Sequence, residues 1–221
     1  VNGSPLRNTD LFELPEAEAA VMLSKHIQWL NDFDDNLMSW TTSFMVVIQH
    51  GLRRHKRGVR LADLHICIVD TRKFLVDTFM HDMYLLEAFA DHSEIRSLLR
   101  LRRGRYYFGE YLSQGRLDIS HRSSRVSLHT LITLGLYQLE PRFQDDQDLW
   151  AKRVVALREA FVAQNQRIDD VNQAGLRRAT TMGQAFGDEY ALPVLLMLLS
   201  LSPRRADDQA LFRGIKAMFT G

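Results

Sequence analysis

LMSWTTSFMVVIQHGLRRHKRG, residues 37–58, changes its periodicity partway along. Leu37 to Thr42 carries an aromatic and two adjacent β-branched residues, the composition of a short strand. From Phe44 the pattern switches: Phe44, Val47, Ile48, Gly51 and Leu52 recur at helical spacing. Arg53, Arg54, His55, Lys56 and Arg57 then fall where the negative end of a helix favours cations, and Gly58 offers a stop. A strand running straight into a helix predicts an α+β frame. Ser39, Thr41, Thr42 and Ser43 put hydroxyls at the junction, where they can cap the helix and bond its unpaired first amides.

Working outward, Pro15 suits the first turn of a helix whose apolar face is Ala20, Leu23, Ile27 and Leu30. LHICIVD, residues 64–70, reads as a strand so apolar that both of its faces are expected to be covered. Helical segments follow around Met80–Ala90 and Ser93–Arg103. YYFGEYL, residues 106–112, reads as another strand, with Gly109 as a bulge or a point of close approach. Arg125 to Leu128 is a further short strand, and Thr130–Leu139 a helix ended by Pro141. Beyond residue 140 nearly everything has helical spacing, as in Trp150, Val154, Leu157 and Phe161. The expected architecture is α+β: residues 1–140 as a core with a small, split, mixed sheet, and residues 141–221 as a C-terminal helical bundle. No Pro/Gly/Ser linker separates the two parts, so one shared core is expected.

Composition narrows the function classes. Of 221 residues, 46% are apolar and 25% charged, which excludes a disordered or fibrous chain. The 28 basic and 27 acidic residues nearly cancel, so net charge gives no reason to expect nucleic acid or an anionic membrane as partner. Cys67 is the single cysteine, which excludes an internal disulfide. The longest apolar run, Tyr190–Leu201, is far short of the roughly 20 residues a spanning helix needs. VNGSPLRNTDLFELPEAE has no apolar segment of signal-peptide type, and the expected location is cytoplasmic or nuclear. The chain opens without methionine, as a processed protein or a piece of a longer one would.

Common catalytic signatures are missing: there is no Walker loop, GxGxxG, GxSxG or HExxH. No metal site is expected, because the histidines are scattered and His50 and His55 fall on different faces of a helix. Cys67 lies within an apolar strand and reads as packing, not as a nucleophile. The clusters Arg53–Arg57 and Arg100, Arg102, Arg103, Arg105 read as solvated helix ends, or alternatively as phosphate contacts. Glu110 is the less generic residue. A carboxylate in the aromatic stretch YYFGEYL needs a hydrogen-bond partner or a function, and an edge-strand glutamate paired with an arginine serves equally well.

The strings SWTTSFMVVIQHGLRRH, LADLHICIVDTRKF, YYFGEYLSQGRLDI and LHTLITLGLYQL together resemble a family of uncharacterised fungal proteins over about residues 24–200. The order of parts also resembles the ADP-ribosyltransferase fold. There a serine–threonine–serine strand supports the NAD pocket, and a later strand carries the catalytic glutamate before a glycine turn. The resemblance implies that Ser39, Thr41 and Ser43 brace the nicotinamide ribose site, and that Glu110 is catalytic. It further implies an arginine near the N-terminus that holds NAD, a place for which Arg7 is the candidate. Phe108 stands where such enzymes often have a second glutamate. With that departure the expected function is a non-catalytic or degenerate ADP-ribosyltransferase-like module that binds a protein partner. The alternatives are an active NAD-dependent transferase or NAD glycohydrolase using Glu110, and nucleic-acid contact through the basic clusters.

Overall fold

The computed structural model describes residues 9–30, 35–144, 149–162, 173–202 and 208–219. The fold is mixed α+β, with small antiparallel sheets and a helical C-terminal region. It divides into two compact units that interleave along the chain. One is built from residues up to Ser43 together with Asp70–Arg122, the other from Phe44–Val69 together with Ser123 onward.

The first unit contains helix α1 (Glu16–Ile27) and strand β1 (Leu37–Thr41). The second contains α2 (Phe44–Lys56) and β2 (His65–Val69). The chain then returns to the first unit for β3 (Met80–His81), α3 (Asp82–Ala88), α4 (Ser93–Arg102) and β4 (Glu110–Gln114). The rest belongs to the second unit: β5 (Ser123–Ser127), α5 (Leu128–Thr133), α6 (Leu136–Leu139), α7 (Trp150–Val162), α8 (Gln173–Gln184), α9 (Asp188–Leu199) and α10 (Gln209–Phe219).

In the first unit β4 is the middle strand of the order β1-β4-β3. Leu37 pairs with Gln114 and Thr41 with Glu110, antiparallel; Met80 pairs with Leu112 and His81 with Tyr111. Strand side chains alternate between faces. Ser39, Thr41, Glu110 and Leu112 therefore share one face. Leu112 on that face joins the buried cluster of Leu11, Met22, Leu23, Leu86, Ile95 and Leu99. In the second unit, among the described residues, β2 pairs only with β5, Ile66 opposite Val126 and Cys67 opposite Arg125. Its helices pack closely: a Cβ on Gly183 of α8 would stand 2.5 Å from the Ala191 carbonyl oxygen of α9.

Four expectations change. The split into small sheets is present, but every ladder among the described residues is antiparallel, so neither sheet is mixed. β2 is not covered on both faces: His65 and Cys67 are exposed while Ile66 is buried, because a two-stranded ladder buries only one side. The strand expected at 106–112 begins four residues later. Gly109 adopts φ +63, in the left-handed region, and ends the extended run there. The helix expected over 130–139 is likewise split, at Gly135 with φ +108.

Candidate functional site

The geometry around Glu110 starts from Gly109. A Cβ at Gly109 would meet Thr42 Oγ1 at 2.7 Å, and the Thr42 amide donates to the Gly109 carbonyl at 3.1 Å. Thr41 Oγ1 donates to the Phe108 carbonyl at 2.7 Å and accepts the Ser43 amide at 3.0 Å. The end of β1 is thus fastened to the segment entering β4. Glu110 enters on the core face, with 5% of its surface exposed.

Both carboxylate oxygens of Glu110 are taken. Ser39 Oγ donates to Oε1 at 2.6 Å, and Arg102 Nη2 donates to Oε2 at 2.5 Å. Arg102, the last residue of α4, follows Ile95 and Leu99 at helical spacing and continues their buried stripe. Its charge is withdrawn from water, with the guanidinium 5.8 Å from the Phe108 ring centre and Nη1 donating to the Tyr106 carbonyl at 3.4 Å. The arginine cluster expected as a solvated helix end is therefore not uniform: its second member is buried.

A second carboxylate faces the same arginine. Asp82, the first residue of α3, is fully buried, and its Oδ2 lies 3.7 Å from Arg102 Nε. His81 Nδ1 lies 3.7 Å from its Oδ1, and neither carboxylate oxygen makes a hydrogen bond of ordinary geometry. Burial pushes its pKa up to about 6; Arg102 opposes the rise and Glu110 adds to it. One buried cation is thus shared by two buried acids. Beside them Tyr107 and His81 lie in contact, Oη to Nε2 at 2.6 Å, and His81 Nδ1 accepts the Met83 amide.

On its open side Ser39 meets α1. His26 follows Met22 and Leu23 at helical spacing and reaches Ser39 Oγ with Nε2 at 3.0 Å. Its Nδ1 lies 3.1 and 3.0 Å from the two oxygens of Asp35. Asp35 is itself fixed, since its Oδ1 accepts the Leu37 amide at 2.8 Å.

Of the residues nominated from sequence, Ser39 and Glu110 are brought into contact and Thr41 pairs across from Glu110. Thr41 and Ser43 fasten the junction through the two Thr41 Oγ1 bonds. Arg7 lies outside the described residues. In the sequence Arg102 stands out only as a member of the basic cluster read as a solvated helix end or a phosphate contact, and Asp82, His26 and Asp35 not at all. The signal for Arg102 and His26 was a polar residue on an otherwise buried helical stripe. Elsewhere, Cys67 is exposed and partial burial raises its thiol pKa, so it is neither packed away nor activated. Among the described residues no group of three or more His, Cys, Asp or Glu side chains could hold a metal ion. Nor, among them, is any helix long and apolar enough to cross a membrane.

Fold and site thus define an α+β domain whose small antiparallel sheet carries a buried acid–arginine network. Residues 3–129, more than half of the chain, match the family described as Domain of unknown function (DUF7587), and the protein belongs to that family. No curated protein and no solved structure matches it.

Proposed function

We propose that this domain is an ADP-ribosyltransferase-like module with a closed acid, acting by binding a protein partner and not by cleaving NAD. The observation that carries this reading is the state of Glu110: 5% exposed, with one oxygen on Ser39 and the other on Arg102. Stabilising the cation that develops as nicotinamide leaves requires a preorganised carboxylate facing the space the ribose occupies. This carboxylate faces inward and is already paired. The presence of Phe108 where a second acid would orient an acceptor supports the same reading. Leu75 and Val76, neighbours in the chain, are 86% and 89% exposed and are apolar side chains a partner would cover. The family resemblance extends the reading to a fungal protein, and the sequence expectation of a place in the cytoplasm or nucleus goes with it.

One observation favours a second reading, NAD-dependent ADP-ribosyl transfer or NAD glycohydrolysis. The hydroxyl-bearing strand does lie beside the strand with the acid, and Ser39 bonds Glu110 across 71 residues of sequence. In that reading Ser39, Thr41 and Ser43 brace the ribose, Arg7 holds NAD, and Glu110 is the catalytic carboxylate. Incubation with NAD and measurement of free nicotinamide separates the two. The closed-acid reading expects no release above the blank. Release by the wild type that disappears in Glu110→Gln replaces it with the second.

A further inference from the structure

Asp35, His26 and Ser39 have the layout of a nucleophilic serine site: carboxylate to imidazole at 3.0 Å, imidazole to hydroxyl at 3.0 Å. A proton count argues against that role. Ser39 has one hydroxyl proton, and it goes to Glu110 Oε1 at 2.6 Å. Glu110 has none to return, because its other oxygen is held by a guanidinium that stays charged. Toward His26 the Ser39 oxygen can therefore only accept, so Nε2 donates. Nδ1 faces two carboxylate oxygens of Asp35, which also only accept, so Nδ1 donates as well.

We propose that His26, fixed by Asp35, is a positioning residue: it donates from both ring nitrogens and holds the Ser39 hydroxyl on Glu110. Asp35, His26, Ser39, Glu110, Arg102 and Asp82 then form one connected series, in which the exposed Ser39 links the largely buried His26–Asp35 pair to the buried Glu110, Arg102 and Asp82. Ser39 is a link in this series and not a nucleophile. The inference rests on the closed-acid reading and explains what keeps the outer oxygen of Glu110 occupied.

The test is a mutant cycle between His26 and Glu110, two residues that both bond Ser39. Melting temperatures are measured for His26→Gln, Glu110→Gln and the double variant, then again with Ser39→Ala in the background. The expected result is a double-variant shift that departs from the sum of the singles by more than roughly 2 °C. In the Ser39→Ala background that coupling disappears. Additive shifts in the wild-type background overturn the proposal, since a residue that merely packs would add. Should a variant fail to fold, the wild type is treated with a fluorophosphonate probe and digested for mass spectrometry. An unmodified Ser39 is expected. A phosphonyl adduct on Ser39 overturns the proposal, because such a nucleophile must pass its proton to His26. Nicotinamide release would defeat the closed-acid reading and leave the cycle's outcome unchanged, so the two failures are distinguishable.

Discussion

Two antiparallel ladders of equal length serve opposite ends in this protein. Leu37–Thr41 on Glu110–Gln114 is rich in hydroxyls and contains an acid, yet its β4 strand is central and Glu110, Leu112 and Ser113 are buried. His65–Val69 on Ser123–Ser127 contains the most apolar strand segment, yet it stands as a two-stranded ribbon with His65, Cys67 and Arg125 exposed. Hydrophobic content therefore did not decide which ladder was covered; the neighbours did. The first ladder has a third strand, and helix residues of α1 and α4 cluster on its Leu112 face. Covering that face forced Glu110 indoors, and Arg102 and Ser39 are the groups that make its burial tolerable.

The comparison breaks most sharply at the arginine. Arg102→Met leaves Glu110 and Asp82 as buried acids without their cation. It should cost about 3–5 kcal/mol in chemical unfolding, the usual loss when one partner of a buried pair is removed. A loss under 1 kcal/mol would mean the first ladder is held like the second. Asp82→Asn should act in the opposite direction. The native carboxyl has a pKa raised from 3.8 to about 6, so between those values the folded state keeps a proton that the unfolded chain releases. Stability therefore falls as pH rises through that window, and the full penalty is present above it. Removing the charge should stabilise the protein by about 1–3 kcal/mol at pH 8, and the gain should fade as pH is lowered below 4. A destabilised Asp82→Asn at pH 8 would instead make Asp82 an essential partner of Arg102. In the second ladder, Cys67→Ser and Arg125→Ala change exposed side chains and should shift stability by no more than about 0.5 kcal/mol. A larger effect there would erase the contrast.

Much of this fold is legible in the sequence wherever period and punctuation agree. The switch at residues 37–58 places β1 and α2 within a residue or so, and Gly58 with φ +97 ends the helix region as its position implies. The bond of Ser39 to Glu110, 71 positions further along the chain, is not stated by the motifs, which gave the two residues separate roles. Other features depend on tertiary partners. Arg102 looks like one of four solvated arginines until its place after Ile95 and Leu99 on a buried stripe is weighed. Asp82 carries no local mark, because only the approach of α4 and β4 encloses it. The strand at 106–112 is misplaced because Gly109 turns left-handed against Thr42, a contact from another part of the chain. Cys67 is misread because an apolar string reports strand propensity and not how many neighbours the strand will have.

The account turns on whether Glu110 stabilises the fold or is held ready for a substrate. The unfolding free energy of Glu110→Gln answers this most directly. An acid kept for chemistry is commonly a burden on stability, and neutralising it leaves the fold as stable or more so. An acid that completes a buried network leaves Arg102 under-compensated when its charge is removed. We predict a loss of about 2–4 kcal/mol at neutral pH. An unchanged or raised stability in Glu110→Gln would contradict the closed-acid account and return Glu110 to the role of a waiting catalyst.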